Sequence, residues 1–235
     1  MRVAVAVVLL ALWHLAVLAT GTTIFPSPIA VVKGLRELPN LGAYIADSLF
    51  RVACGYSAAA LLGIPAGLAL GWWSLLARAF NPLIQMLRPI SPLAWMPIAV
   101  IWFGVSNLAP IFLIFLASFF PIVVATMNGV RNVPPMYVQA GRNFGLSTPA
   151  LFRRVIFPAT LPRIVVGLRI AFGVAWLVLV AAEMIAVDSG LGYLIIDARN
   201  AGKRYDLVVG GMLLIGLIGL SLDTLLKRLE KEVRA

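Results

Sequence analysis

Acidic residues are scarce in this chain. Nine Asp and Glu stand against 19 Lys and Arg in 235 residues, and charged residues total only 12%. Soluble domains carry about a quarter charged residues, so there is too little charge to coat a soluble surface. Hydrophobic residues reach 62% and the mean hydropathy is +1.00. An all-α polytopic membrane protein is the class that fits. Cys54 is the single cysteine, so no intrachain disulfide can form, and His14 is the single histidine. Neither a catalytic triad nor a histidine proton relay is available, and no Cys/His cluster offers a metal site. The phosphate-binding pattern G-x-x-x-x-G-K-[ST] is missing too. Its nearest fragment, Ala201-Gly202-Lys203-Arg204, lacks the first glycine and the hydroxyl. An ATP motor, if one is needed, has to be a separate chain.

The net charge of +10 raises nucleic acid as a partner. The basic residues are spread over short loops rather than along one stripe, so the positive-inside rule explains them better and no nucleic-acid partner is expected. Residues 3–20 are apolar after Arg2. A signal peptide and a retained first helix compete for this run. It is longer than a signal-peptide core of about 7–15 residues and no clear A-x-A site follows, which favours a retained helix with the amino terminus inside. Residues 21–43 read as an outer loop carrying a short amphipathic helix, Ser27 to Leu38. The chain then divides into residues 1–43, a first helix and loop, and a core of five spans over 44–235.

The second span, about Tyr44 to Trp73, holds Asp47 and Arg51 four residues apart, where they can pair on one helix face. It also holds Gly55, Ala59, Gly63, Gly67 and Gly71 at a strict spacing of four. Small residues at that spacing let another backbone approach closely in lipid. The partner is either another helix of this chain or a second copy. Residues 83–104 contain Pro89, Pro92 and Pro97, so this third span cannot be one straight helix. Irregular backbone at membrane depth needs protein or a water-filled cavity beside it. The third span should therefore line a pathway, with Trp95, Met96 and Trp102 as candidates against the plainer reading of interfacial packing. The fourth span is about Ile111 to Met127, the fifth Ile164 to Val187 and the sixth Leu207 to Leu226. Arg169 and Glu183 lie in the fifth, as candidate pathway or gate residues. For Arg169 the competing role is a snorkelling anchor, and for Glu183 a structural pair with an arginine or with helix ends. The segments 74–90 and 188–206 read as loops. About six spans with an inside start put 74–90, 128–163 and the carboxyl tail in the cytoplasm, where the arginine bias places them.

The polar interruption 131–163 has five arginines, no acid, and prolines at 134, 135, 149, 158 and 162. Pro134 and Pro135 suit a helix start. Gly145 suits the position just past a helix end, and Ser147 can cap a second short helix. Two stubby helices meeting at a glycine turn would make a compact cytoplasmic knob. An ordinary basic loop is the plainer alternative, and the arginines also suit membrane lipid.

Within it run Gln139-Ala140-Gly141, three residues, Gly145, nine residues, and Val155-Ile156-Phe157-Pro158. This resembles the EAA loop of ABC importer permeases, E-A-A, three residues, G, nine residues, I-x-L-P. Gln139, Gly141, Val155 and Phe157 depart from it. Residues 89–104 and 167–193 are similar to permeases of the nitrate/sulfonate/taurine branch. The resemblance implies a type I importer permease fold in the bacterial cytoplasmic membrane, to which the charge bias adds both termini inside. It implies two ABC ATPase subunits holding ATP and Mg, a second permease copy, and an extracytoplasmic substrate-binding protein. It also implies that Tyr137, Gln139, Ala140, Gly141, Arg142, Phe144, Gly145 and Leu146 form the ATPase-coupling surface. The expected function is uptake of a small anionic nutrient by alternating access, with nitrate, taurine, other sulfonates, bicarbonate and a vitamin precursor all fitting the branch. An ion-driven secondary transporter is the alternative. It would need internal repeats and a polar midplane site, and no convincing repeat is visible.

Overall fold

A computed structural model describes residues 2–20 and 25–234. They form helices α1 (Arg2–Thr20), α2 (Pro28–Glu37), α3 (Leu41–Trp72), α4 (Ser74–Leu87), α5 (Met96–Phe103), α6 (Leu108–Arg131), α7 (Pro135–Asn143), α8 (Thr148–Leu151), α9 (Phe157–Ala186), α10 (Leu191–Gly202) and α11 (Tyr205–Arg234). A 3-10 turn, Pro92–Trp95, precedes α5, and a π-helical turn, Phe152–Ile156, joins α8 to α9. There is no strand among the described residues. α2 starts where the sequence places it: Pro28 occupies the first turn and the Ala30 N–H donates to Ser27 Oγ at 3.3 Å.

α6 sits between α3 and α9 at the centre of the bundle. The glycine stripe of α3 faces α6 of the same chain, which answers the question of its partner. Gly55 lies against Ile114, Gly63 against Ile122, Gly67 against Thr126 and Gly71 against Val130. Ala59, fully buried, packs with Ile122 and Ala171. Each step along α3 is matched by an equal step along α6, so the two helices run parallel. A Cβ on Gly67 would stand 2.6 Å from Thr126 Cβ and 2.7 Å from the Val123 carbonyl oxygen, and neither can move without moving α6. Gly67→Leu is therefore expected to cost about 1–3 kcal/mol through overpacking. It should lower the thermal midpoint of the detergent-purified protein, and an unchanged midpoint would show that the seam can open without penalty.

The parallel register also settles what lies between. Adjacent parallel helices require the chain between them to return to its starting end. α4 and the Pro92–Phe103 segment are bent by 84° to each other, and together they make that return. They are one broken span, not a loop dipping in and out. The break follows from composition: Pro89 and Pro92 lack the N–H groups that would carry the α4 ladder onward. The expectation of a non-straight third span holds, but its first half begins at Ser74, inside the segment read as a loop.

α9 runs antiparallel to α6, with Gly167 against Ala125 and Gly129 against Thr160. α11 returns antiparallel to α9, with Trp176 Nε1 donating to the Ile215 carbonyl at 3.2 Å. Four helical stretches are long and apolar enough to cross a membrane: Leu41–Trp72, Leu108–Arg131, Thr148–Ala186 and Tyr205–Val233. The bent pair adds a fifth, while the apolar part of α1, Val7–Thr20, is shorter. The count of about six is thus approximate. Two boundaries need correction. The expected second stubby helix of the basic loop is the first turn of a 39-residue helix, Thr148–Ala186. Its π turn, where the Phe157 N–H reaches the Phe152 carbonyl, takes up the register change as the chain enters Pro158. The expected loop 188–206 contains α10, a 12-residue helix with Leu191, Leu194, Ile195 and Ala198 buried at helical spacing.

Candidate functional site

Two features stand at opposite ends of the bundle. At the end where α3 and α6 begin, an ion clamp is sealed from solvent. Arg51 is 1% exposed and Glu183 is 0% exposed, with Arg51 Nη1 2.7 Å from Glu183 Oε1. Arg51 is thus paired with Glu183 and not with Asp47 one turn away, because Arg51 lies on the buried face of α3 and Asp47 is half-exposed. Every guanidinium nitrogen is used. Nε and Nη2 donate to Asn107 Oδ1 at 2.9 and 2.7 Å. Nη1 also donates to the Ser189 carbonyl at 2.8 Å, and Nη2 to Ser189 Oγ.

The carboxylate is equally committed. Ser48 Oγ lies 2.8 Å from both its oxygens, and the Gly192 N–H donates to Oε2 at 3.0 Å. Ser48 in turn accepts from the Leu191 N–H at 2.9 Å. Two orphan amides of α10 are thereby satisfied, and a carboxylate stands at a helix N-terminus, where its charge is favoured. Gly190 has φ +100, and a Cβ there would collide with both Glu183 and Arg51. The clamp therefore ties together α3, the entry to α6, the end of α9 and the start of α10. Ser48, Asn107, Ser189, Gly190 and Gly192 were not singled out from the sequence. The available signal was the buried acid itself, followed closely by the Ser189-Gly190-Leu191-Gly192 turn.

The opposite end carries the knob. α7 ends in a Schellman motif: the Gly145 N–H donates to the Arg142 carbonyl at 2.9 Å and the Leu146 N–H to the Gly141 carbonyl at 3.1 Å. Gly145 has φ +73, the left-handed conformation that favours glycine. Gly141 is buried, and a Cβ on it would meet Leu151 Cδ1 at 2.5 Å, a physical reason for glycine where the EAA pattern has alanine. Tyr137, Gln139, Ala140, Arg142 and Phe144 are exposed or nearly so, Phe144 to 86%, and Leu146 is half-buried beneath them. The knob is seated by Val130, Val133 and Ile156, with Leu68, Trp72, Val138 and Phe152 around them. Trp72 meets Phe152 edge to face at 5.6 Å.

The candidate pathway residues do not converge. Met96 is buried among Ala99, Leu113 and Ala182. Trp102 is 62% exposed and packs edge-on against Phe112. Arg169 is held by Asp223 at 2.8 Å and by Glu230 at 3.2 Å, both on α11. These groups are partly exposed, so solvent screens the pairs and they act as a weak tie between α9 and α11. Glu183 is sealed in the clamp. Trp95 borders a cavity of about 230 Å³ between α6 and the broken span. No group of His, Cys, Asp and Glu that could hold a metal occurs among the described residues.

This arrangement has known counterparts. A family profile described as the binding-protein-dependent transport system inner membrane component matches residues 59–235. The chain is 38% identical to the nitrate import permease protein NrtB of Synechococcus elongatus, covering 93% of this chain and 84% of that protein. It is 35% identical to the taurine transport system permease protein TauC of Escherichia coli, covering 97% and 86%. Among solved structures, an inward-facing conformation of the MetNI methionine ABC transporter superposes with a TM-score of 0.69. The identity there is 16%, over 80% of this chain and 93% of that one. That likeness gives the fold alone. Profile, relatives and fold agree that the chain belongs to the binding-protein-dependent transport system inner membrane component family, as an ABC importer permease of the nitrate/sulfonate/taurine branch.

Proposed function

We propose that this chain is the membrane subunit through which an ATP-driven importer moves a small anionic nutrient, of nitrate or sulfonate type, across the bacterial inner membrane. The observation that carries the reading is the knob: a short exposed helix closed by a Schellman turn, at the EAA spacing, in a chain without a phosphate-binding loop. Tyr137, Gln139, Ala140, Gly141, Arg142, Phe144, Gly145 and Leu146 form the face that docks on an ATPase subunit. ATP and Mg are held and hydrolysed on two such partners. A second copy of the permease completes the pathway, and a binding protein delivers the anion from the far side. The knob and carboxyl end face the cytoplasm, where the arginine excess belongs. Residues 44–235 are the transport core, and residues 1–43 an accessory helix and loop. ATP needs only to bias two existing arrangements of the bundle.

The deciding measurement is uptake of labelled nitrate and taurine into proteoliposomes holding the permease with and without its ATPase and binding protein. Uptake is expected only with the ATPase present and ATP inside the compartment the knob faces. Uptake by the permease alone, driven by an ion gradient, would establish the secondary-transporter alternative.

A further inference from the structure

The bundle contains a cation whose charge no acid among the described residues answers. Arg51 and Arg169 both lie within spanning helices and are both neutralised by acids. Arg88 caps the end of α4 at the break in the broken span, and no acid pairs with it among the described residues. Its depth is the informative part. Together with Pro92 and Trp95 it borders the 230 Å³ cavity whose other walls include Ala117 and Phe120 of α6 and Val174 of α9. α6 spans 24 residues, so its Ala117–Phe120 turn lies about 14–18 Å from one end and about 17–21 Å from the other at 1.5 Å per residue. Arg88 therefore borders the middle of the membrane, not the cytoplasmic surface where its place in the sequence put it. An uncompensated cation at that depth is costly and persists where it faces a water-filled cavity or a transient counter-ion. It is the single charged residue on the cavity wall.

We propose that Arg88 is the anion contact of the translocation pathway. Its guanidinium fork receives the oxyanion end of a passing substrate in paired N–H···O bonds, while Trp95 and Phe120 keep the remaining wall apolar. The substrate class is a small solute bearing a planar or tetrahedral oxyanion group, such as nitrate or a sulfonate. The cavity volume equals that of several waters at about 30 Å³ each, enough for such a group with part of its hydration. A single contact in apolar surroundings holds an anion without trapping it, as conduction requires. The inference rests on the importer reading above.

The test compares wild type, Arg88→Gln and Arg88→Lys in the complete complex, reconstituted in neutral phosphatidylcholine vesicles and in vesicles with added phosphatidylglycerol. The readout is nitrate or taurine moved per ATP hydrolysed. Arg88→Gln should lower that ratio by about tenfold in both vesicle types, and Arg88→Lys should recover a large part. A ratio within twofold of wild type for Arg88→Gln overturns the proposal. So does a parallel loss of ATPase and uptake in both variants, which would make Arg88 a support of the break. A defect confined to phosphatidylglycerol vesicles would make it a headgroup anchor and overturn the proposal too. Wild-type complex that moves neither solute sinks the nitrate-or-sulfonate importer reading itself, a result distinct from all of these.

Discussion

Glu183→Ala is expected to destabilise the protein by about 3–5 kcal/mol, lowering its thermal midpoint by on the order of 10 °C. The reason is the state in which the change leaves Arg51. The guanidinium is 1% exposed, and its remaining acceptors, Asn107 and Ser189, are neutral. The Gly192 amide at the start of α10 loses its acceptor in the same step, and the Ser48 hydroxyl loses the carboxylate it donates to. Most of the penalty is desolvated charge rather than lost attraction. The double change Arg51→Met with Glu183→Leu should therefore recover much of the stability that either single change loses. Fluorescence-detected size-exclusion of heated detergent extracts reads all three. A double variant as unstable as the sum of its parents would show that the pair itself, not the orphaned charge, holds this end together. Glu183→Gln separates roles further. It keeps shape but not charge, so normal stability together with normal transport would refute both a structural and a gating function.

The clamp explains what could and could not be read from the chain. Asp47 and Arg51 satisfy the local rule for a helix pair, and that rule gave the wrong partner. An exposed i, i+4 pair contributes only a few tenths of a kcal/mol, far too little to compete with a buried, fully hydrogen-bonded partner. That partner is 132 residues away, beyond any local pattern. α10 was missed for another reason. Its exposed Arg199 and Asn200 and its charged surroundings masked a buried face repeating at helical spacing. Arg88 was misplaced because a charge beside prolines reads as a loop, whereas here the prolines break a span in mid-membrane. By contrast, the Gly55–Gly71 stripe was legible because close packing leaves a composition that no other need imposes, and the end of α7 was legible because only a left-handed residue closes it.

The glycine that closes α7 also sets the second large effect. Gly145→Asp and Phe144→Ala are each expected to abolish most uptake while leaving insertion and thermal stability nearly intact. The space around Gly145 is open, with no atom within 4 Å of where a Cβ would stand, so substitution meets only the cost of φ +73, about 1–2 kcal/mol. That is too small to unfold the bundle, yet it is enough to misdirect the exposed end of α7. Phe144, 86% exposed, contributes almost nothing to the isolated chain. In the proposed coupling role this ring is the anchor that enters a pocket of the ATPase, and truncating such anchors costs at least about 2 kcal/mol of binding, some 30-fold in affinity. The knob rests on Trp72, Phe152 and Val130, which belong to the ends of α3, α6 and the long 39-residue helix. A push on α7 is thus delivered to three spans at once. Co-purification with the ATPase and ATP-driven uptake should fail together in both variants. Phe144→Ala with full uptake would remove the knob from the coupling path and leave it an ordinary basic loop.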